Sequence, residues 1–190
     1  MKISSSLYIW QKSETPQLMK KFFKVLGLIL LILLIAVVII GMMNPEIKYN
    51  AEVVVNKPLK ETFWKYNDPG TLKEWIPELK SVQIIDLKPG MIGSKLKMVI
   101  HNEGQTIELN EEITDYGENS HVGLVFEAGA MVKKNYVEFS EIESGTLIKG
   151  TFTCKGSNLF YNAMFTFFKK QFREIDQGYM NNFKHYAERS

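Results

Sequence analysis

The sequence predicts an α+β protein: a curved antiparallel β-sheet wrapped on a long C-terminal helix, preceded by one N-terminal transmembrane helix. Three observations carry that prediction. Val25 to Met43 is a nineteen-residue run with no charged or strongly polar side chain. Between Ser81 and Lys155 apolar residues recur with a period of two, in runs separated by short turns rich in Gly, Pro and Asn. From Asn158 to Ala187 the period becomes helical and one face fills with aromatic side chains.

The apolar run comes first. At about 1.5 Å per residue it reaches roughly 28 Å, the thickness of a bilayer core. Lys20, Lys21 and Lys24 precede it and only Lys48 follows closely. The positive-inside rule then puts the N-terminal segment, residues 1–24, in the cytoplasm and the bulk of the chain on the other side, in a periplasmic or extracellular space. The run is longer than a signal-peptide core and ends Ile-Ile-Gly-Met-Met-Asn-Pro without a small-x-small site, so an uncleaved anchor over 25–43 is expected. Met19-Lys20-Lys21-Phe22-Phe23-Lys24 reads like the opening of an anchored chain, and translation is expected to start at Met19. Pro45 stops the helix. The linker, 44–48, spans at most roughly 18 Å, which holds the following domain near the bilayer.

Tyr49 to Val55, rich in Val, reads as a first strand. Leu59, Phe63 and Trp64 have helical spacing after Pro58, and Leu72, Trp75 and Ile76 suggest a second short helix halted by Pro77. Six strands follow: Ser81–Leu87, a run around Leu96, Met98 and Ile100, a run around Ile107, Leu109 and Ile113, then 122–128, 132–142 and 146–155. The turns at 88–90, at Asn102-Glu103-Gly104-Gln105 and at 143–145 are short, which makes the connections hairpins and the sheet antiparallel. Asn158 is a plausible cap for one helix of about 45 Å reaching Ala187. Its stripe of Tyr161, Phe165, Phe168, Phe172, Ile175, Tyr179, Phe183 and Tyr186 falls on one face. Gly178 interrupts that stripe and is expected to mark a bend or a close backbone approach. Such a stripe is either plain core or the wall of an apolar cavity.

Charge and motifs exclude several functions. Residues 1–45 carry a net +4 and residues 46–190 a net −2, so the overall +2 is a basic membrane flank added to a mildly acidic domain. Nucleic acid is not an expected partner, because phosphate binding needs a clustered basic surface. Cys154, the single cysteine, forms no intramolecular disulfide and sits in a strand, where a buried thiol is expected. No phosphate loop, zinc motif or nucleophile elbow is present. His101, His121 and His185 lack ligand spacing, so neither a metal nor a cofactor is expected. One polar residue stands out. Glu111 shares the inward parity of Ile107, Leu109 and Ile113. A carboxylate facing an apolar cavity has a raised pKa and is a candidate acid or base; a bulge turning it outward or a buried ion pair are the alternatives.

The order of elements, with its local residues, resembles the START-like or SRPBCC superfamily and its helix-grip fold. Leu72-x-x-Trp75-x-Pro77 looks like the signature after the second short helix. Pro89-Gly90-Met91-Ile92-Gly93 resembles the glycine turn between the second and third strands, and Glu111-Glu112-Ile113 the Glu-x-Ile of the fourth. The resemblance covers about 49–188 and is nearest the polyketide cyclase/dehydrase branch. It implies a cavity between sheet and helix for a small hydrophobic molecule or lipid. Pocket candidates are Met98, Glu111, Phe126 and Phe152 by strand parity, Met164 and Phe168 from the helix face, and Trp75 from the resemblance. Three functions remain open: a membrane-tethered binding domain for an apolar ligand, a cyclase- or dehydratase-type enzyme using Glu111, and a protein-interaction module.

Overall fold

The computed structural model describes residues 15–102 and 104–189. Glu103 of the predicted hairpin turn lies outside them, as does most of the stretch before Met19. The chain divides into two compact units, 1–37 and 38–190.

Helix α1 (Thr15–Met43) runs through both the basic flank and the apolar run. Its Met19–Met43 portion is long and apolar enough to cross a membrane, a property it shares with a signal sequence. Leu30 and Leu34, like most of its apolar side chains, are exposed.

The second unit is built on a seven-stranded sheet: β1 (Ile47–Val55), β2 (Leu79–Asp86), β3 (Lys95–Asn102), β4 (Gln105–Gly117), β5 (His121–Ala128), β6 (Met131–Ile142) and β7 (Gly145–Gly156). The order is β1-β7-β6-β5-β4-β3-β2 and every pairing is antiparallel. Strand β1 begins two residues inside the predicted linker, because Ile47 is buried and pairs with Cys154. Between β1 and β2 lie α2 (Leu59–Asn67) and a single 3₁₀ turn, Leu72–Glu74, in place of the second short helix.

The sheet buries one face. Along β1 and β7 alternate residues are buried, and Phe63 of α2 enters the same core. An aromatic cluster locks the helices to the sheet: Tyr66 stacks on Trp75 at 5.3 Å and meets Phe139 and Phe183 edge-on at 5.2 and 5.0 Å.

The predicted single C-terminal helix is two. Helix α3 (Leu159–Phe167), capped by Asn158 accepting from the Tyr161 N–H, packs on β7. Helix α4 (Lys169–Arg189) crosses β1. The break is at Phe168, whose ψ of 9° leaves the helical region. The buried residues of α4 are Asp176, Met180, Phe183 and Ala187, while Ile175 is 50% exposed. Gly178 marks neither a bend nor a close approach: it lies within α4, and a Cβ there would meet nothing within 4 Å. The close approach is at Gly150 on β7, where a Cβ would strike the Phe152 ring and the Met180 methyl.

A candidate apolar-ligand cavity

A cavity of about 450 Å³ lies between the inner face of the sheet and the first half of α4, closed on one side by Tyr66 and Trp75. It exists because the sheet's inner face changes along its length. Towards β1 and β7, α4 fills it with Met180, Phe183 and Ala187. Towards β3 and β4 the space stays open, with Phe172, Ile175 and Tyr179 of α4 among its lining residues.

Burial along β4 defines inside and outside. Ile107 is 42% exposed, Leu109 is half-buried, and Glu111 is 9% and Ile113 6% exposed. The mouth therefore lies at the β3–β4 hairpin and the edge strand β2, where Ile84, Leu87 and Ile175 form an apolar rim. The β2–β3 loop contributes Met91, held at a φ of 70° by the turn that Gly90 and Gly93 flank.

Five of the seven sequence-derived pocket residues line this cavity: Trp75, Met98, Glu111, Phe126 and Phe152. Met164 and Phe168 do not. Both belong to the α3 side of the break, which packs away from the cavity; Met164 joins the core and Phe168 is 48% exposed. The strand residues face the cavity because pleat parity is local. Met164 and Phe168 sit off it because the C-terminal helix breaks at Phe168.

Glu111 points inward, without a bulge and without an ion pair. Among the described residues its carboxyl has no hydrogen-bond partner, and burial alone pushes its pKa up to about 7. The Nε1–H of Trp75 and the Oδ1 of Asn135 are also buried and unpartnered. The Tyr66 hydroxyl makes no hydrogen bond among the described residues, and its pKa is raised by burial and then by the carboxylates of Asp176 and Glu111, which marks it as a neighbour of both.

Sequence reasoning missed the buried charge network. Lys133 of β6 donates to Asp176 Oδ1 of α4 at 2.5 Å, and the Tyr49 hydroxyl donates to Asp176 Oδ2 at 2.6 Å. Lys133 also sits 5.2 Å from the centroid of the Phe152 ring. The Tyr49 hydroxyl is held protonated by burial and by the Asp176 carboxylate, and burial raises the Cys154 thiol. Parity with the buried Val137 and Phe139 would have turned Lys133 and Asn135 inward. The role of Asp176 was not legible, because its partners Lys133 and Tyr49 lie on strands far from it in the chain. Among the described residues no cluster of His, Cys, Asp and Glu could hold a metal ion.

No protein-family model matches the chain, and no curated protein matches it in sequence. Solved structures do match. Ara h 8.0201 is similar with a TM-score of 0.60 at 15% identity, over 76% of this chain and 99% of that one. The di-domain ARO/CYC StfQ from the steffimycin biosynthetic pathway gives a TM-score of 0.64 at 8% identity, over 77% of this chain and 52% of that one. A protein of unknown function from Staphylococcus aureus, SA2116, gives 0.61 at 16% identity, over 75% and 94%. The class is thereby defined: the second unit has the START-like, SRPBCC-type helix-grip fold, an open seven-stranded antiparallel sheet gripping a long C-terminal helix.

Proposed function

We propose that residues 49–188 form a binding domain for a small hydrophobic molecule or lipid, tethered by α1 to a membrane and facing the extracytoplasmic side. The cavity carries this reading. Its volume lies in the range of small-molecule sites, its walls are predominantly apolar, and its rim is apolar as well. At roughly 30 Å³ per non-hydrogen atom, the share of a water in the liquid, it admits on the order of fifteen atoms. Both Ara h 8.0201 and an ARO/CYC protein share the fold, which supports ligand binding and cyclase chemistry alike. The lysines before the apolar run support the orientation.

The test uses the full chain in lipid nanodiscs and a polarity-sensitive apolar dye, with empty discs as the blank. The wild type brightens the dye saturably. Ala128→Trp, which fills the cavity from β5, abolishes that signal while the thermal melt stays cooperative. Equal dye binding by both proteins would refute the cavity as the site.

A second reading has one observation in its favour. Glu111 is an unpartnered carboxyl facing the cavity with a pKa near 7, the value that suits a general acid or base at neutral pH. In an enzyme of cyclase or dehydratase type it would move the proton. Glu111→Gln would then end turnover of a bound substrate without changing its affinity, and unchanged turnover would remove Glu111 from that role.

A further inference from the structure

The cavity's polar groups describe one end of its occupant. The Tyr66 hydroxyl and the Glu111 carboxyl belong to residues that line the cavity, and neither makes a hydrogen bond among the described residues. The Trp75 Nε1–H and the Asn135 Oδ1 are unpartnered too, but they are sealed off and out of an occupant's reach. Buried polar groups are otherwise almost always satisfied, and each one left bare costs about 1–3 kcal/mol. A wholly apolar occupant would leave Tyr66 and Glu111 bare, and so would an amphiphile seated with its polar end at the mouth.

Charge narrows the class. The only cation among the residues lining the cavity is Lys133, and Asp176 already holds it at 2.5 Å. That pair is neutral overall, and Glu111 adds either nothing or a negative charge. An entering anion therefore meets no free positive partner, and meets repulsion once Glu111 ionises. A cation finds a partner only in the ionised form of Glu111, so any cation binding should rise as the pH passes about 7.

Depth sets the orientation. The exposed rim is Ile84, Leu87, Ile107 and Ile175, whereas Trp75, at 6% exposed, and Glu111 lie inside. We infer that the occupant is a hydrophobic molecule with an uncharged hydroxyl or carbonyl end, seated with that end inward at Tyr66 and Glu111, and that the cavity rejects carboxylate- and phosphate-bearing amphiphiles. The inference rests on the binding function proposed above and adds its selectivity.

Dye displacement from the full chain in nanodiscs tests it, with dodecane, dodecanol, dodecylamine and dodecanoate as competitors at pH 8, corrected for partitioning into empty discs. Dodecanol should displace the dye at least about tenfold better than dodecanoate, a difference of about 1.4 kcal/mol. Glu111→Gln should narrow that gap by strengthening dodecanoate. Tyr66→Phe, which deletes the hydroxyl and keeps an aromatic ring, should weaken dodecanol and leave dodecane unchanged. Dodecanoate binding as tightly as dodecanol overturns the inference and leaves cavity binding intact. Failure of all four, dodecane included, overturns both.

Discussion

Replacing Glu111 with Gln should stabilise the domain at pH 8 and leave it unchanged at pH 4. In the folded state burial raises the carboxyl from 4.5 to about 7, with no partner to offset it. The folded protein thus holds the proton more tightly than the unfolded chain does. Stability from this group is complete below about pH 4.5 and is lost as the pH rises through about 7. A shift of about 2.5 units at 1.36 kcal/mol per unit makes the loss about 3 kcal/mol, undiminished by solvent because the side chain is 9% exposed. Gln has nearly the same shape and never ionises, so the difference between variant and wild type isolates this one group. Urea unfolding of the full chain in nanodiscs, followed by tryptophan fluorescence at several pH values, measures it. The variant's advantage should be near zero at pH 4, rise between pH 5 and 7, and level off near 3 kcal/mol. An advantage independent of pH would show that the carboxyl is not isolated in the cavity. A variant less stable at pH 8 would show that an ionised Glu111 has a partner.

Two further outcomes follow from the same geometry. Gly178→Ala should raise stability by about 1 kcal/mol, because the site is helical and a Cβ there meets nothing; the urea midpoint reads this, and a loss would restore a bend at Gly178. Lys133→Met should cost about 3–5 kcal/mol by leaving Asp176 buried and unpaired, and Asp176→Asn in that background should recover much of it, since the amide oxygen still accepts from Tyr49. A double variant no more stable than Lys133→Met would refute the charge-burial explanation.

The strand half of the site was readable in advance. Met98, Glu111, Phe126 and Phe152 face the cavity because side chains alternate along a strand, so two or three apolar neighbours fix the parity of the next residue. Lys133 and Asn135 were equally readable by that rule; their polar character, not their position, led the reading past them. The helix half was not readable. Met164 and Phe168 were drawn from a helix read as unbroken from Asn158 onward, whereas the turn at Phe168 leaves both on the α3 side, off the cavity; Ile175 of the same stripe does line its rim.

Local periodicity in the chain was thus enough to determine the apolar helix α1, the seven strands and their antiparallel hairpins, and the inward residues Met98, Glu111, Phe126 and Phe152. These follow from interactions between residues close in sequence, or from the length and polarity of one segment. The tertiary structure decided where the C-terminal helix breaks, that Asp176 is buried, and that Lys133 and Tyr49 converge on it from strands far apart in the chain. It also decided that space remains open beside Glu111. A cavity is the difference between what a curved sheet encloses and what its side chains fill, and that difference arises only once every element is in place.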